Sequence, residues 1–90
     1  MPETSAIIEL KKIMKKHIIN QLQLSQRSFI PQSKLSELLN NKRRFSPEMD
    51  IKLCKVFNLK TSHFLLIQMK DEITSSQNKH KETIKKILPL

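Results

Sequence analysis

The sequence predicts an all-α fold, a bundle of five short helices followed by a short helical tail. Three observations carry that reading. Apolar residues recur at three- and four-residue spacing through most of the chain, helix-opening residues stand before those runs, and the 90 residues include no glycine. Type I′ hairpins, phosphate-cradling loops and dinucleotide turns all lean on glycine, which argues against small β-barrels, P-loops and Rossmann units. No segment sustains the apolar–polar alternation of a strand. The length allows one small domain, and a hydrophobic content of 38% is enough for a helical core.

The first helix starts at Ser5, with Thr4 or Ser5 as its N-cap. Ala6, Ile7, Leu10 and Met14 form its apolar stripe, and Lys11, Lys12, Lys15 and Lys16 make a solvated opposite face. Asn20 caps a second, short helix over 21–28, its side-chain oxygen facing the free N–H groups of the next turn. Phe29-Ile30-Pro31 interrupts the pattern, and Pro31 suits the first turn of a third helix that runs to Asn40. In that helix Leu35, Leu38 and Leu39 point inward. Asn40-Asn41 ends it, since Asn tolerates a left-handed C-cap better than any other residue with a side chain. Ser46-Pro47-Glu48-Met49 opens a fourth helix with a cap, a proline at its first position and an acidic first turn. Its stripe is Met49, Leu53, Val56 and Phe57, flanked by Ile51 and Cys54. Thr61-Ser62 caps a fifth helix with Phe64, Leu65, Ile67 and Met69. Residues 1–69 then make the domain, 70–78 a polar linker, and 79–90 a basic amphipathic tail with Ile84, Ile87 and Leu88 on one face.

Charge narrows the function. Seventeen Lys and Arg against eight Asp and Glu give +9, which points to a polyanionic partner, nucleic acid first and an anionic membrane surface second. A single cysteine excludes an internal disulfide and any zinc site with two cysteines. His17, His63 and His80 do not stand at ligand spacing with Cys54, which reads as a buried core thiol. His63 has no nucleophile or carboxylate motif beside it, so it reads as a packing or helix-start residue and no enzyme or cofactor is expected. The four phenylalanines read as core. No apolar run is long enough to span a bilayer and no apolar leader follows the N-terminus, so the expected location is cytoplasmic.

Two short helices joined by a tight turn, preceded by one helix and followed by two, make the layout of a helix-turn-helix. The second short helix must enter a major groove about 12 Å wide, so its outward residues should be small or hydrogen-bonding. Gln32, Ser33, Lys34, Ser36 and Asn40 fit that requirement. Glu37 is the odd member: it can accept from cytosine N4, but it repels phosphates. Lys42, Arg43 and Arg44 stand where the duplex backbone would pass.

The stretch from Asn20 to Arg44, NQLQLSQRSFIPQSKLSELLNNKRR, resembles the Xre-type, lambda-repressor-like helix-turn-helix without a gap. Leu24 and Ser25 match that family's Leu-Ala pair, Ile30 its turn valine, and Leu35 and Leu38 its two buried aliphatics. Residues 42–68, KRRFSPEMDIKLCKVFNLKTSHFLLIQ, look like the C-terminal half of HigA/VapI-type antitoxins. There a basic cluster and Ser-Pro-Glu-Met precede an amphipathic helix and a final helix rich in aromatics. The resemblance covers residues 10–68. The chain departs from it at Phe29, where the family prefers glycine, at Ser28, where an apolar residue is usual, and before the first helix, where His-Pro-Gly-Glu is missing. Ile18, Asn41 and Asn58 also stand where relatives usually place glycine.

The resemblance implies a homodimer on a palindromic operator in double-stranded DNA, with half-site centres about 34 Å apart. It implies phosphate contacts from Asn20 and Gln21 beside those of Lys42, Arg43 and Arg44, and base reading by Gln32, Ser33, Lys34, Ser36, Glu37 and Asn40. It also implies a bacterial, nucleoid-associated repressor that controls its own operon and neutralises a cognate toxin. Two alternatives stay open from sequence: a phage or mobile-element regulator without a toxin, and a protein-interaction or inhibitor module that reads no DNA. A membrane-surface role for the tail is disfavoured by its small apolar face.

Overall fold

The computed structural model describes residues 3–90. Among them the chain forms six helices and no strand: α1 (Ser5–Lys16), α2 (Gln21–Ser28), α3 (Gln32–Leu39), α4 (Pro47–Val56), α5 (His63–Lys79) and α6 (Lys81–Lys86). The first five are the expected bundle helices and α6 is the expected helical tail. α1 packs on α5 and α3, α2 on α3 and α4, and α4 on α5. Leu10, Leu24, Leu35, Leu38, Leu53 and Phe64 are wholly buried where these helices meet, and Phe45 stacks on Phe64 with ring centroids 5.1 Å apart.

Local capping explains three of the starts. Thr4 accepts from the Ile7 N–H, Asn20 and Gln23 form a reciprocal capping box, and Ser46 accepts from the Met49 N–H one turn after its neighbour Pro47. Tertiary contacts add to the start of α1 and supply that of α5, while α3 and α6 start without a side-chain cap. α1 has no acid in its first turn, and Asp71 of α5 serves instead, accepting from the Ser5 N–H at 2.8 Å and from its hydroxyl at 3.0 Å. α5 departs from its expected cap. Ser62 sits in the left-handed region (φ 80°) and its side chain caps nothing. The buried carboxylate of Asp50 in α4 accepts from the N–H groups of Ser62, Phe64 and Leu65 at 2.7, 3.0 and 3.1 Å. A hydroxyl at position 62 cannot reach its own helix from that backbone conformation, so the acceptor comes from another helix.

Four residues at helix ends take the backbone that glycine would have taken: Ile18, Phe29, Asn41 and Asn58 have φ between 51° and 59°. Asn accepts this readily; a β-branched Ile and a bulky Phe are strained there. The turn between α2 and α3 therefore keeps the glycine-type geometry, and neighbouring serines close it. The buried Ser28 hydroxyl donates to Leu24 O at 2.7 Å and accepts from the Ile30 N–H at 3.3 Å, while the Ser25 hydroxyl donates to Ile30 O at 2.6 Å. A polar Ser28 thus fills a buried site without an unpaired atom. Phe29 is not core: it is 85% exposed, because a left-handed residue at this turn projects away from the bundle. Phe29→Gly is expected to raise stability by about 0.5–1 kcal/mol, the relief of left-handed strain less glycine's greater unfolded-state entropy. Thermal unfolding followed by circular dichroism reads this as a melting temperature several degrees higher.

The expected linker is helix. Residues 70–78 lie inside α5, which continues to Lys79. The polar Thr-Ser-Ser-Gln run suggests a loop, yet it contains neither proline nor glycine, and a helix already nucleated by its buried first turns extends cheaply. Its outer turns are exposed on all sides, so no apolar stripe advertises them. The tail helix is shorter than expected, six residues, and residues 87–90 leave it. In α4 the buried face includes Asp50 and Cys54, whereas Ile51 is exposed and Val56 half-buried. Burial pushes the Cys54 thiol above its ordinary pKa, against the opposing hydrogen bond from the His63 backbone. No helix among the described residues is long and apolar enough to cross a membrane.

Candidate nucleic-acid interface

α3, the helix expected to read bases, is held from behind by Leu35 and Leu38, both fully buried. That leaves Gln32, Ser33 and Lys34 exposed on its first turn, the end that projects furthest in a groove-docked helix. None of the three side chains makes a hydrogen bond or ion pair within the described residues. Lys34 is close enough to add to the depression of the Glu48 pKa, which comes chiefly from the hydrogen bond and charge of Lys52. Pro31 precedes α3 without a side-chain cap, so the first N–H groups of the helix keep no side-chain acceptor.

The C-terminal half of α3 is different. The Asn40 amide donates to Ser36 O at 2.8 Å and to Ser36 Oγ at 3.3 Å, tying these two expected readers to each other. Glu37 receives Nε and Nη2 of Arg43, each at 3.0 Å. The acid that looked out of place beside phosphates is thus paired, and it fixes Arg43 alongside α3.

Of the three clustered cations, Arg43 pairs with Glu37 and Arg44 with Glu72 of α5, its Nη2 lying 2.6 Å from Oε1. Lys42 makes no ion pair among the described residues; its backbone N–H closes α3 by donating to Glu37 O at 2.8 Å. Exposed pairs of this kind contribute about 0–1 kcal/mol each, so a phosphate can displace either carboxylate at small cost. Gln21 reaches across the turn, its amide donating to Gln32 O at 3.4 Å, and so couples the start of α2 to the start of α3. Asn20 commits its side-chain oxygen to the α2 cap.

Several residues behind this surface escape a sequence reading. Gln68 of α5 is buried and clasps the Phe45 backbone from both sides, accepting from its N–H at 2.8 Å and donating to its C=O at 3.1 Å. With Glu72 one turn further on, it anchors the end of the basic loop. A lone Gln one turn after the core residue Phe64 was the only sequence signal. His63 opens α5, bonds Glu9 of α1 through Nε2 at 2.7 Å and meets Phe64 edge-on. It stands at a helix start, as its position suggested, but the carboxylate that the local sequence does not place beside it comes from α1.

The arrangement offers a helix with free hydrogen-bonding groups at its leading end, flanked by basic side chains on a braced loop. Comparison with known proteins agrees with the geometry. The helix-turn-helix family model HTH_3 matches residues 10–64. A sequence comparison with curated proteins finds no significant match. Among solved structures the chain is similar to an addiction module antidote protein of a HigA family from Coxiella burnetii, with a TM-score of 0.82, 21% identity and full coverage of both chains. It is also similar to the Pseudomonas aeruginosa antitoxin HigA with the higBA promoter, with a TM-score of 0.80, 16% identity, and coverage of 100% of this chain and 99% of the other.

Proposed function

The chain belongs to the helix-turn-helix family, and from that premise we propose that it is a sequence-specific DNA-binding repressor, the antitoxin of a toxin–antitoxin pair acting on its own promoter. The observation that carries the proposal is the unpaired set Gln32, Ser33 and Lys34 on the leading turn of α3, beside Lys42, Arg43 and Arg44. The side chains that would read bases are free to do so, and of the cations that would hold phosphates Arg43 lines one hollow with Lys34 while Lys42 and Arg44 lie toward α1 and α5. In this reading Gln21 and Asn20 mark the phosphate at the start of α2. Ser36, Glu37 and Asn40, being paired among themselves and with Arg43, serve more to hold the reading surface in place than to read.

Repression of its own operon would follow the example of a similar structure, an antitoxin described with its promoter. The homodimer would set two α3 helices about 34 Å apart on a palindrome. The protein would work in the bacterial cytoplasm at the nucleoid, and a small toxin encoded beside it should co-purify with it as a stable complex.

Fluorescence titration with the upstream promoter and with random duplex, each at two salt concentrations, tests the proposal. Binding to the promoter about a thousandfold tighter than to random duplex is the expected result. Equal affinity for the two would overturn it. Lys42→Ala should weaken promoter and random duplex alike and flatten the slope of log K against log salt by about one unit, because one phosphate contact is lost.

A further inference from the structure

On a face that shares no residue with the candidate DNA-reading set, the C-terminal end of α2 and the outer side of α4 enclose an open groove of about 770 Å³. Phe29, Ile51 and Val56 give it an apolar floor, and Arg27, Lys52 and Lys55 stand around it. No carboxylate lines it. Lys52 is paired with Glu48 at 2.6 Å, whereas Arg27 and Lys55 make no ion pair among the described residues. Arg27 and Val56 are shared with a smaller hollow of about 280 Å³ that reaches Ile18. Ile18 and Phe29 are the two residues whose left-handed backbone is hardest to justify, and they are 90% and 85% exposed. Both end a helix with left-handed backbone, and both leave their side chains in solvent rather than in the core.

We propose that this groove docks an acidic amphipathic helix of a partner protein, with apolar side chains on Phe29, Ile51 and Val56 and carboxylates against Arg27 and Lys55. Charge selects the occupant. A second copy docking through this same face would bring an identical ring of cations against this one. A nucleic-acid backbone would pair with the cations but would leave the apolar floor facing phosphates and water. An acidic helix with one apolar face satisfies both parts of the surface, and groove recognition of such helices needs anchors at helical spacing over a preformed floor. The proposal stands apart from the DNA reading, since none of the groove's lining residues belongs to the candidate reading set, although Lys52 also lines the adjoining hollow with Lys34 and Arg43.

The probe is a fluorescein-labelled amphipathic peptide with Leu at helical spacing and Glu elsewhere, compared with the same peptide carrying Lys in place of Glu. Anisotropy on the full chain should show the Glu peptide binding about tenfold tighter or better. Phe29→Gly keeps the turn geometry and removes the ring, and should weaken the Glu peptide about fivefold while the protein itself melts higher. Lys55→Glu should weaken it about tenfold, and neither variant should change promoter affinity. Amide shifts on titration should centre on Phe29, Ile51 and Val56. The proposal is overturned if the two peptides bind equally, if both variants bind like the parent, or if random duplex displaces the peptide and shifts those same amides. The last outcome would assign the groove to nucleic acid.

Discussion

Asp50→Ala is expected to lower the stability of the protein by about 3–4 kcal/mol, which for a domain of this size is a fall in melting temperature of about 15 °C or more. The carboxylate is wholly buried and accepts from the N–H groups of Ser62, Phe64 and Leu65. Without it, backbone donors at the head of α5 lose their acceptor, and each buried donor left unpaired costs about 1–3 kcal/mol. Water can relieve part of this, because Ser62 and Leu65 are only half-buried while Phe64 is fully enclosed. A total stability of about 5–15 kcal/mol leaves the variant folded at 25 °C, so denaturant titration can measure the loss. Asp50→Asn keeps one oxygen but turns an amide N–H toward a backbone donor, and should fall between the two. A melting temperature for Asp50→Ala within a few degrees of the parent would show that the α5 cap does not depend on this side chain. The consequence should also reach the basic loop, since Gln68 and Glu72 brace it from the helix that Asp50 secures.

Gln32→Ala should cost about 1–3 kcal/mol on the promoter, a loss of about 5- to 150-fold, with binding to random duplex unchanged. Gln32 is the first residue of α3, is exposed, and uses only its backbone oxygen internally, accepting from Gln21. Its side chain presents a donor and an acceptor in the pattern that matches the adenine edge, so the loss should appear as relaxed preference at one position of the site. Stability should move by less than about 0.5 kcal/mol, as for other exposed substitutions. A parallel drop on promoter and random duplex would instead make Gln32 a backbone contact, and the reading set would move to Ser33 and Lys34. The contrast with Lys42→Ala, which should act on all duplexes alike, separates readers from phosphate contacts.

Much of the fold is legible in the sequence because local chemistry sets it. Ser46-Pro47 and Asn20 open helices through their own side chains, and the Leu35–Leu38 spacing fixes which side of α3 is buried. Of the left-handed positions, Asn41 was legible from its own chemistry, whereas Ile18, Phe29 and Asn58 were legible only through the family resemblance, as places where relatives carry glycine. The polar stretch 70–78 misleads because composition reports what a segment avoids burying, not whether its backbone is helical. Phe29 misleads similarly, since an aromatic ring reads as core until the turn geometry turns it outward.

The sequence by itself determined that this protein is all-helical, where its bundle helices begin, and which short helix carries hydrogen-bonding groups on its outer face. Tertiary structure decided which of those groups stay free and how polar side chains pair beyond the local helix caps. Glu37 and Arg43 stand six residues apart across a helix end, Arg44 and Glu72 twenty-eight apart, and Gln68 holds the Phe45 backbone from twenty-three residues away. Asp50 and Asp71 cap helices other than their own. Helical periodicity decides which face of a helix is apolar, but a polar side chain's partner depends on which helices the packed core brings side by side.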